Sequence, residues 1–426
     1  MPTKAETTTT TITAPGFQNF GLDERLLRAV AEEGYERPTP IQDLAIPLVM
    51  AGRDMMGSAQ TGTGKTAAFG LPILHRLLGE HKRGHALRTL ILSPTRELAA
   101  QIEESLKNYA RHTKLRIAAV IGGVNIKPQT KALREGVDIL VATPGRLLDH
   151  VGQKNVTFHD VEVFVLDEGD RMLDMGFLPD IRRIIALLPR KRQTLLFSAT
   201  IPPEIATLAG TMLSNPEHVQ VGVRSAPAVG ITHAVYPVPS HLKPTLLPAI
   251  LREIGARSVL VFTRTKRRAD RLSRVLARSG LRIGVLHGDR TQAQRIAALD
   301  GFKRGKFDVL IATDIAARGL DIEGITHVIN FDVPATPEDY VHRIGRTARA
   351  EAVGDAFTLV SPEEDYTMRQ IEAHLGQVLP RVALRDFDYE VTAPEKKTGL
   401  QKASVNVRTI PTSFRSSRKR KLPRKR

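Results

Sequence analysis

Short runs of apolar and β-branched residues alternate along this chain with longer stretches of helical periodicity. The first half contains "DMMGS", "TLILSP", "RIAAVIGG", "DILVAT", "VEVFVLD" and "TLLFSAT", and the second half contains "SVLVFTRT", "RIGVLHG", "DVLIATD" and "HVINFD". Continuous apolar strands that are separated by helices are typical of parallel sheets covered by helices on both faces. The pattern therefore predicts an α/β fold with two doubly wound parallel-sheet domains in tandem.

Changes in composition predict where the domains begin and end. The Thr-rich residues 1–16 lack the continuous apolar core of a secretory signal, so we interpret them as a disordered leader. Residues 222–235 are rich in Gly, Pro and Ala, which is typical of a linker between a first domain over 17–221 and a second over 236–385. Residues 386–426 have few apolar anchors, and we expect a disordered basic tail there.

Most of the net charge lies in that tail. The 426 residues carry a net charge of +17, and residues 391–426 hold twelve Lys or Arg and one Glu, a net of +11. Such basic runs usually bind polyanions, which favours nucleic acid as a partner, but a solvated tail without a target has the same composition. The absence of cysteine excludes disulfides and thiolate zinc sites and fits a reducing cytoplasm. No apolar run reaches the roughly 18 residues that span a bilayer, so we expect no membrane segment.

A candidate phosphate-binding loop, "AQTGTGKT", follows the first short strand candidate and precedes an amphipathic helix. Its glycines permit a tight loop with inward-pointing N–H groups, Lys65 can reach the β- and γ-phosphates, and the Thr66 hydroxyl can bind Mg²⁺. The general P-loop pattern begins with Gly, whereas Ala59 stands there in this chain. A glycine-rich turn with an incidental lysine is the alternative interpretation.

Three carboxylates follow a hydrophobic run in "VLDEGDRMLDMGF". Asp167 at the end of a strand can hold Mg²⁺ through water, and Glu168 can orient or deprotonate an attacking water. A solvated acidic helix start is the alternative. Adjacent carboxylates on an apolar strand are costly without a cation or partner, so the upstream loop favours a nucleotide site.

Eleven short stretches follow one another along about residues 17–375. They are "GYERPTPIQ" (34–42), "AQTGTGKT" (59–66), "PTRELA" (94–99), "GG" (122–123), "TPGR" (143–146), "DEGD" (167–170), "SAT" (198–200), "VFTRT" (261–265), "QAQR" (292–295), "ATDIAARGLDI" (312–322) and "HRIGRTAR" (342–349). In this order they resemble the motifs of the DEAD-box RNA helicases of helicase superfamily 2, and the residues around them resemble most the bacterial RhlE-like subgroup. This resemblance implies two RecA-like domains and an ATPase that unwinds or remodels RNA.

The resemblance implies a nucleotide site for ATP and Mg²⁺ that is divided between the two domains. Adenine is expected to stack on Tyr35 and to be read by Gln42 and Arg37. Asp167 and Thr66 are expected to hold Mg²⁺, partly through water. The phosphates are assigned to Gly62, Thr63, Gly64, Lys65 and Thr66, the catalytic base is Glu168, the ribose contact is Asp321, and the arginine fingers are Arg346 and Arg349.

The resemblance also implies an RNA surface and a coupling network. The sugar-phosphate backbone is expected to bind with little sequence preference, because Arg, Thr and Gly suit phosphate contacts and aromatic residues are only 5% of the chain. RNA contacts are assigned to Arg96, Gly123, Thr143, Arg146, Arg295 and Thr313, and domain coupling to Asp170, Ser198, Thr200, His342 and Arg343.

Two positions depart from the family pattern, which has Ala where Gly169 stands and Gly where Ala348 stands. Glycine at 169 costs roughly 0.5–1 kcal/mol if the position is regular strand, and alanine at 348 costs about 1 kcal/mol if the backbone there needs a positive φ.

Three other functions were weighed. An RNA clamp with slow turnover and a DNA translocase of the same superfamily stay open, whereas a GTPase is disfavoured because no guanine-reading "NKxD" follows. We expect a cytoplasmic monomer whose partners beyond RNA include ribosomal precursors or RNA-processing proteins.

Overall fold

The computed structural model describes residues 16–58, 63–79, 86–221, 231–317, 324–347 and 354–392. One compact unit ends at Tyr389 and contains two sheets, one of seven strands and one of six. Every strand pair in both sheets is parallel. The prediction of two doubly wound α/β domains is therefore confirmed.

The first domain is built on the seven-stranded sheet, in the order β3-β4-β2-β5-β6-β1-β7. A short 3₁₀ turn over Phe17–Phe20 precedes it. The strands are β1 Met55–Ser58, β2 Thr89–Leu92, β3 Ile117–Val120, β4 Ile139–Ala142, β5 Val163–Asp167, β6 Gln193–Ser198 and β7 Glu217–Gln220, and the helices are α1 Glu24–Glu32, α2 Pro40–Met50, α3 Lys65–Gly79, α4 Arg96–Tyr109, α5 Ile126–Glu135, α6 Pro144–Gly152, α7 Gly169–Asp174, α8 Leu178–Leu187 and α9 Pro203–Met212.

The second domain is built on the six-stranded sheet, in the order β10-β11-β9-β12-β13-β8. A short 3₁₀ turn over Pro362–Glu364 precedes its last helix. The strands are β8 Ile231–Pro237, β9 Val259–Phe262, β10 Ile283–Leu286, β11 Val309–Ala312, β12 His327–Asn330 and β13 Gly354–Val360, and the helices are α10 Lys243–Glu253, α11 Lys266–Ala277, α12 Gln292–Lys303, α13 Asp314–Ala317, α14 Pro337–Ile344 and α15 Asp365–Leu375.

Each sheet has a hydrophobic core on both faces, which explains why its central strands are apolar throughout. Successive side chains of a strand point to opposite faces. In β5, Val163 and Val165 belong to one core cluster of the first domain, whereas Phe164 and Leu166 belong to the other. The same division occurs along β9, where Val259 and Val261 belong to one core cluster of the second domain and Leu260 and Phe262 to another. No helix among the described residues is long and apolar enough to cross a membrane.

The ten strand candidates named from the sequence all form strands, but three further strands were not predicted. These are β7, β8 and β13, two of which lie at sheet edges, where polar residues are tolerated. Because β8 begins at Ile231 and pairs with β13, the predicted linker extended too far. The predicted tail also began too early: Phe387 and Tyr389 pack against the core, and the Tyr389 hydroxyl accepts a hydrogen bond from Leu384 N at 2.9 Å.

Candidate nucleotide and RNA site

The segment before α2 is tied directly to the phosphate loop. Thr39 donates its backbone N–H to Gln42 Oε1 at 2.8 Å and its hydroxyl to the Thr63 carbonyl at 2.8 Å. Gln42 is buried, and its Nε2 donates to the Gly64 carbonyl at 3.1 Å. Gly64 has φ +91°, and a Cβ there would lie 2.4 Å from Gln42 Nε2, so only glycine fits this approach. The Gln42 amide therefore fixes the loop; its contact with adenine stays a prediction.

Tyr35 lies on an aromatic surface next to this segment. Its ring stacks on Phe17 with centroids 6.2 Å apart, and its hydroxyl is 3.1 Å from the Tyr109 hydroxyl. Tyr35 nevertheless keeps 39% of its surface exposed. Arg37 is exposed as well. Both side chains are accessible to a base, as the predicted adenine site requires.

Lys65 and Asp167 face each other at the carboxyl end of the first sheet. Lys65 opens α3 and is buried, with its Nζ 4.0 Å from Asp167 Oδ1. That Oδ1 is buried and has no hydrogen-bond partner among the described residues. Burial raises the pKa of Asp167, an effect that Lys65 opposes.

The residues present fit a bound Mg²⁺. An unpartnered carboxylate oxygen beside a phosphate loop suits a hard cation that prefers oxygen ligands, and Thr66, half-buried in the first turn of α3, supplies a hydroxyl. The described part of the chain holds no group of three or more His, Cys, Asp or Glu that could enclose a metal. Mg²⁺ at this position would therefore take most of its ligands from water and phosphate.

Glu168 turns the chain from β5 into α7 and is held by Arg171. The Glu168 backbone is left-handed, with φ 55° and ψ 54°. The side chains of Glu168 and Arg171 are both buried. Arg171 Nη1 donates to Glu168 Oε2. Burial alone would raise the pKa of Glu168, but the charges of Arg171 and Lys65 outweigh it and hold that pKa well below its usual range. Glu168 is therefore an ionised carboxylate fixed one residue beyond Asp167. Arg171 was not predicted from the sequence.

Gly169 is the first residue of α7 and not part of a strand, so the strand penalty considered from the sequence does not apply. Asp170, in the next position, connects β5 to the segment after β6. Its N–H donates to Ser198 Oγ at 3.0 Å, and its Oδ2 accepts from the N–H and hydroxyl of Thr200 at 2.7 and 2.9 Å. The predicted association of Asp170, Ser198 and Thr200 is present, and their part in domain coupling stays a prediction.

Arginines of the second domain lie near Glu168 and Arg171 of the first. Arg346 is buried, and its positive charge is among the causes that lower the pKa of Glu168 in the first domain. Arg171 lines a narrow pocket together with His342, Arg343 and Arg346. Arg346 therefore lies close to the site of the first domain, and its role as an arginine finger stays a prediction.

Arg343 is held mainly by residues of its own domain. Its guanidinium forms a paired contact with Asp314 at 2.6 and 2.8 Å, donates to Asn330 Oδ1 and the Asp332 carbonyl, and lies 5.0 Å from the Phe262 ring. All of these partners belong to the second domain, and Arg343 also lines the pocket that Arg171 of the first domain lines. Its part in domain coupling stays a prediction.

Four predicted RNA residues of the first domain follow β2, β3 and β4, which are neighbours in the sheet. The Arg96 guanidinium covers Gly122 and Gly123, and a Cβ on Gly123, which has φ +73°, would lie 1.8 Å from Arg96 Nη1. Thr143 precedes α6 as its N-cap residue. Arg146 donates to the Val124 carbonyl at 3.2 Å. Since carboxyl ends of parallel strands meet at one edge, these residues form one surface.

Arg295 of the second domain is paired with Glu97, the residue that follows Arg96. Its Nη2 donates to Glu97 Oε2 at 2.7 Å, and Gln292 Nε2 donates to Glu97 Oε1 at 2.9 Å. All three side chains are buried. Glu97 is on α4 of the first domain and the other two are on α12 of the second, so this contact joins the domains. The assignment of Arg295 to RNA stays a prediction. The sequence did not predict the contact with Glu97, although Gln292 and Arg295 share a helix face at i, i+3.

Of the remaining predicted residues, Thr313 is described by the structure and four others are not. Thr313 follows β11, is half-buried, and donates its N–H to the Leu286 carbonyl at 3.3 Å. Gly62, Asp321, Ala348 and Arg349 lie outside the described residues.

Comparisons with known proteins define the family. The model described as DEAD/DEAH box helicase matches residues 39–208, and the helicase conserved C-terminal domain matches 242–351. The ATP-dependent RNA helicase CshA of Listeria monocytogenes is 46% identical over 356 residues, which cover 84% of this chain and 68% of that protein. The chain belongs to the DEAD-box helicases.

Solved structures support the same conclusion. Dbp5 of S. cerevisiae bound to RNA and ADP BeF3 has a TM-score of 0.78 at 30% identity, covering 87% of this chain and 96% of that one. Mss116p bound to ssRNA and AMP-PNP has a TM-score of 0.78 at 27% identity, covering 86% and 79%. The narrower RhlE-like placement stays a prediction.

Proposed function

We propose that this chain is an ATP-dependent RNA helicase: it hydrolyses ATP to ADP and phosphate when RNA is bound, and it unwinds short duplexes or remodels RNA–protein complexes. The family membership and the RNA helicase names of its relatives support this function. The observation that carries it is that Arg346, on the second domain, lines the same pocket as Arg171, the residue of the first domain that holds Glu168. A site completed only when two domains close can couple hydrolysis to movement.

ATP binds mainly to the first domain in this proposal. Tyr35 stacks on the base, while Arg37 and Gln42 read its edge. Gly62, Thr63, Gly64, Lys65 and Thr66 surround the phosphates, and Asp321 contacts the ribose. The Gln42–Gly64 hydrogen bond supports this assignment, because it links base recognition to the phosphate loop.

Hydrolysis is assigned to groups around Glu168. Arg171 holds one carboxylate oxygen of Glu168, and Glu168 accepts the proton of the attacking water. Arg346 and Arg349 stabilise the charge that develops on the γ-phosphate, an effect worth roughly 10³–10⁵ in rate. Mg²⁺, held by Thr66 and by Asp167 partly through water, would neutralise phosphate charge there.

RNA binding depends on both domains. Arg96, Gly123, Thr143 and Arg146 of the first domain and Thr313 of the second contact the sugar-phosphate backbone. Contacts of this kind position a strand without reading its sequence. Closure brings Glu97 against α12, and a strand bound to both domains must adapt to that arrangement, which separates it from its complement.

The setting of this activity is also part of the proposal. We expect a monomer in the cytoplasm, acting on RNAs that include ribosomal precursors and together with RNA-processing proteins. The basic composition of residues 391–426 supports a polyanionic partner.

The test measures ATP turnover with RNA and with DNA of the same sequence and length as activators. The expected result is strong stimulation by RNA and weak stimulation by DNA, with Lys65→Ala inactive with either. Equal stimulation by DNA would identify a DNA translocase. Tight binding of RNA and ATP with no stimulated turnover would identify an RNA clamp.

A further inference from the structure

Helix α11 of the second domain carries a row of arginines on its outer face. Arg267, Arg271, Arg274 and Arg278 are all exposed, and they recur at intervals of four, three and four residues. At about 100° per residue this spacing places them within about 60° of arc. The opposite side of the helix packs Ala269, Leu272 and Leu276 into the core. We call these four residues the arginine row.

The cations beside the row have acidic partners. Lys266 pairs with Asp289 at 2.7 Å, Arg268 pairs with Asp332, and Arg282 pairs with Asp308 at 2.5 Å. Asp270, the acidic residue of α11, is engaged by Arg290 at 2.5 Å and by His287 at 3.1 Å.

The row itself forms no ion pair with any described residue. Within the described chain, the Arg274 side chain donates to the Asp270 backbone carbonyl, and the other three members have no hydrogen-bond or ionic partner.

Helix stability does not account for the row. The first turn of α11 contains Lys266, Arg267 and Arg268 and no acidic residue, although the helix dipole favours acids at that end. Like charges at i, i+3 and i, i+4 repel and weaken an exposed helix. Repulsion among four unpaired arginines on one face therefore destabilises α11, and a bound anion would relieve that repulsion.

The position of α11 connects the row to the RNA surface. Helix α11 follows β9, and the strand beside β9 in the sheet, β11, ends just before Thr313. Lys266 at the start of α11 pairs with Asp289, which follows β10. The row begins at the carboxyl edge of the sheet, where the proposed RNA contact lies. It runs away from that edge for about 16 Å, at about 1.5 Å per residue.

We propose that the arginine row binds the phosphate backbone of RNA that extends beyond the core site, so that the enzyme holds a flanking segment of its substrate. This inference rests on the proposed function. Exposed, unpaired guanidinium groups at regular intervals suit a chain of phosphates, and they carry no base-reading geometry. The row therefore increases affinity for long RNAs without selecting a sequence.

The test replaces all four members by glutamine in the full-length protein. The control variant removes the same charge from exposed positions of the second domain outside the row, by R252Q, R257Q, K303Q and R304Q. A charge-preserving variant, with lysine at the four row positions, controls for folding. The probes are the shortest single-stranded RNA that saturates ATPase stimulation and the same RNA extended at its 5′ or its 3′ end, single-stranded or as a hairpin.

The row variant should bind one of the extended RNAs roughly 10- to 100-fold more weakly than the parent at low salt, while its affinity for the core RNA and its saturated ATPase rate stay within a few-fold. Each engaged phosphate contributes about 0.7 to the salt slope, so the slope for that RNA should fall by up to about 3 units. The lysine variant should retain most of the binding.

Three results would overturn the inference. These are unchanged binding of every extended RNA, an equal loss in the control variant, and an equal loss for core and extended RNA. If the arginine row instead binds an acidic protein, the row variant will show unchanged binding of every extended RNA. Failure of the proposed function is distinguishable, because the parent itself would then show no RNA-stimulated turnover.

Discussion

The buried contact between Glu97, Gln292 and Arg295 gives the sharpest prediction about domain closure. Glu97→Ala removes both acceptors of this contact and leaves the Arg295 guanidinium buried without its counter-charge. Arg295 Nε already has no hydrogen-bond partner among the described residues, so little compensation exists nearby. When the domains open, the guanidinium regains water. Glu97→Ala therefore raises the free energy of the closed arrangement and leaves that of the open arrangement unchanged.

The size of the effect follows from burial. Breaking a buried ion pair by removing one partner costs roughly 3–5 kcal/mol. At about 1.4 kcal/mol per factor of ten, closure should become less favourable by a factor of roughly 10² to 4 × 10³. The matched control is Glu103→Ala on the same helix, which removes an i, i+4 pair with the exposed Lys107 and should cost no more than about 0.5 kcal/mol.

The assay measures RNA affinity with and without a non-hydrolysable ATP analogue. The parent should bind RNA much more tightly with the analogue. Glu97→Ala should lose most of that gain, while ATP affinity without RNA and the thermal unfolding temperature stay near parent values. Arg295→Met should cause a similar loss, and the double variant should lose little more than either single variant. A gain within about three-fold of the parent in Glu97→Ala would refute the role of this contact.

Three further predictions concern other parts of the molecule. Gly169→Ala should leave turnover within a few-fold of the parent, because an added Cβ meets the tip of Leu196 at 2.9 Å, which can move, and alanine suits the helix that begins there; a hundred-fold change in the ATPase assay would reveal a specific role for glycine. Ending the chain at Glu390 should flatten the salt dependence of RNA binding by roughly 3–4 units if about five tail charges engage, and equal slopes would remove the tail from RNA binding. ATP should be preferred over GTP, because an amide such as that of Gln42 suits the donor and acceptor edge of adenine; comparable catalytic efficiency with GTP would contradict the adenine site.

Local pattern predicted the central strands and the nucleotide residues. The strands at the centre of each sheet are apolar throughout because both faces are buried, and this gives a strong signal. Edge strand β7, "EHVQ", has only Val219 in the core, so its sequence does not differ from that of a loop. Lys65 and Asp167 could be anticipated because each follows directly from a motif at the end of a strand.

Contacts between distant residues could not be predicted in the same way. Glu97 and Arg295 are 198 positions apart, and nothing in either local sequence states that they meet. Arg295 is assigned to RNA on the resemblance of its motif, whereas its contact with Glu97 depends on how the two domains pack. Arg171 was missed because its role depends on the left-handed backbone at Glu168, which brings the arginine back onto the carboxylate.

The central claim is that Glu168 activates the water that attacks ATP in a site completed by the second domain. The most direct measurement is the ATPase rate of Glu168→Gln at saturating RNA, together with its affinities for RNA and for ATP. The account predicts that both ligands bind about as tightly as to the parent, because glutamine keeps the size of the side chain, while turnover falls by at least a hundred-fold. Turnover at the parent rate would contradict the assignment of Glu168 as the base.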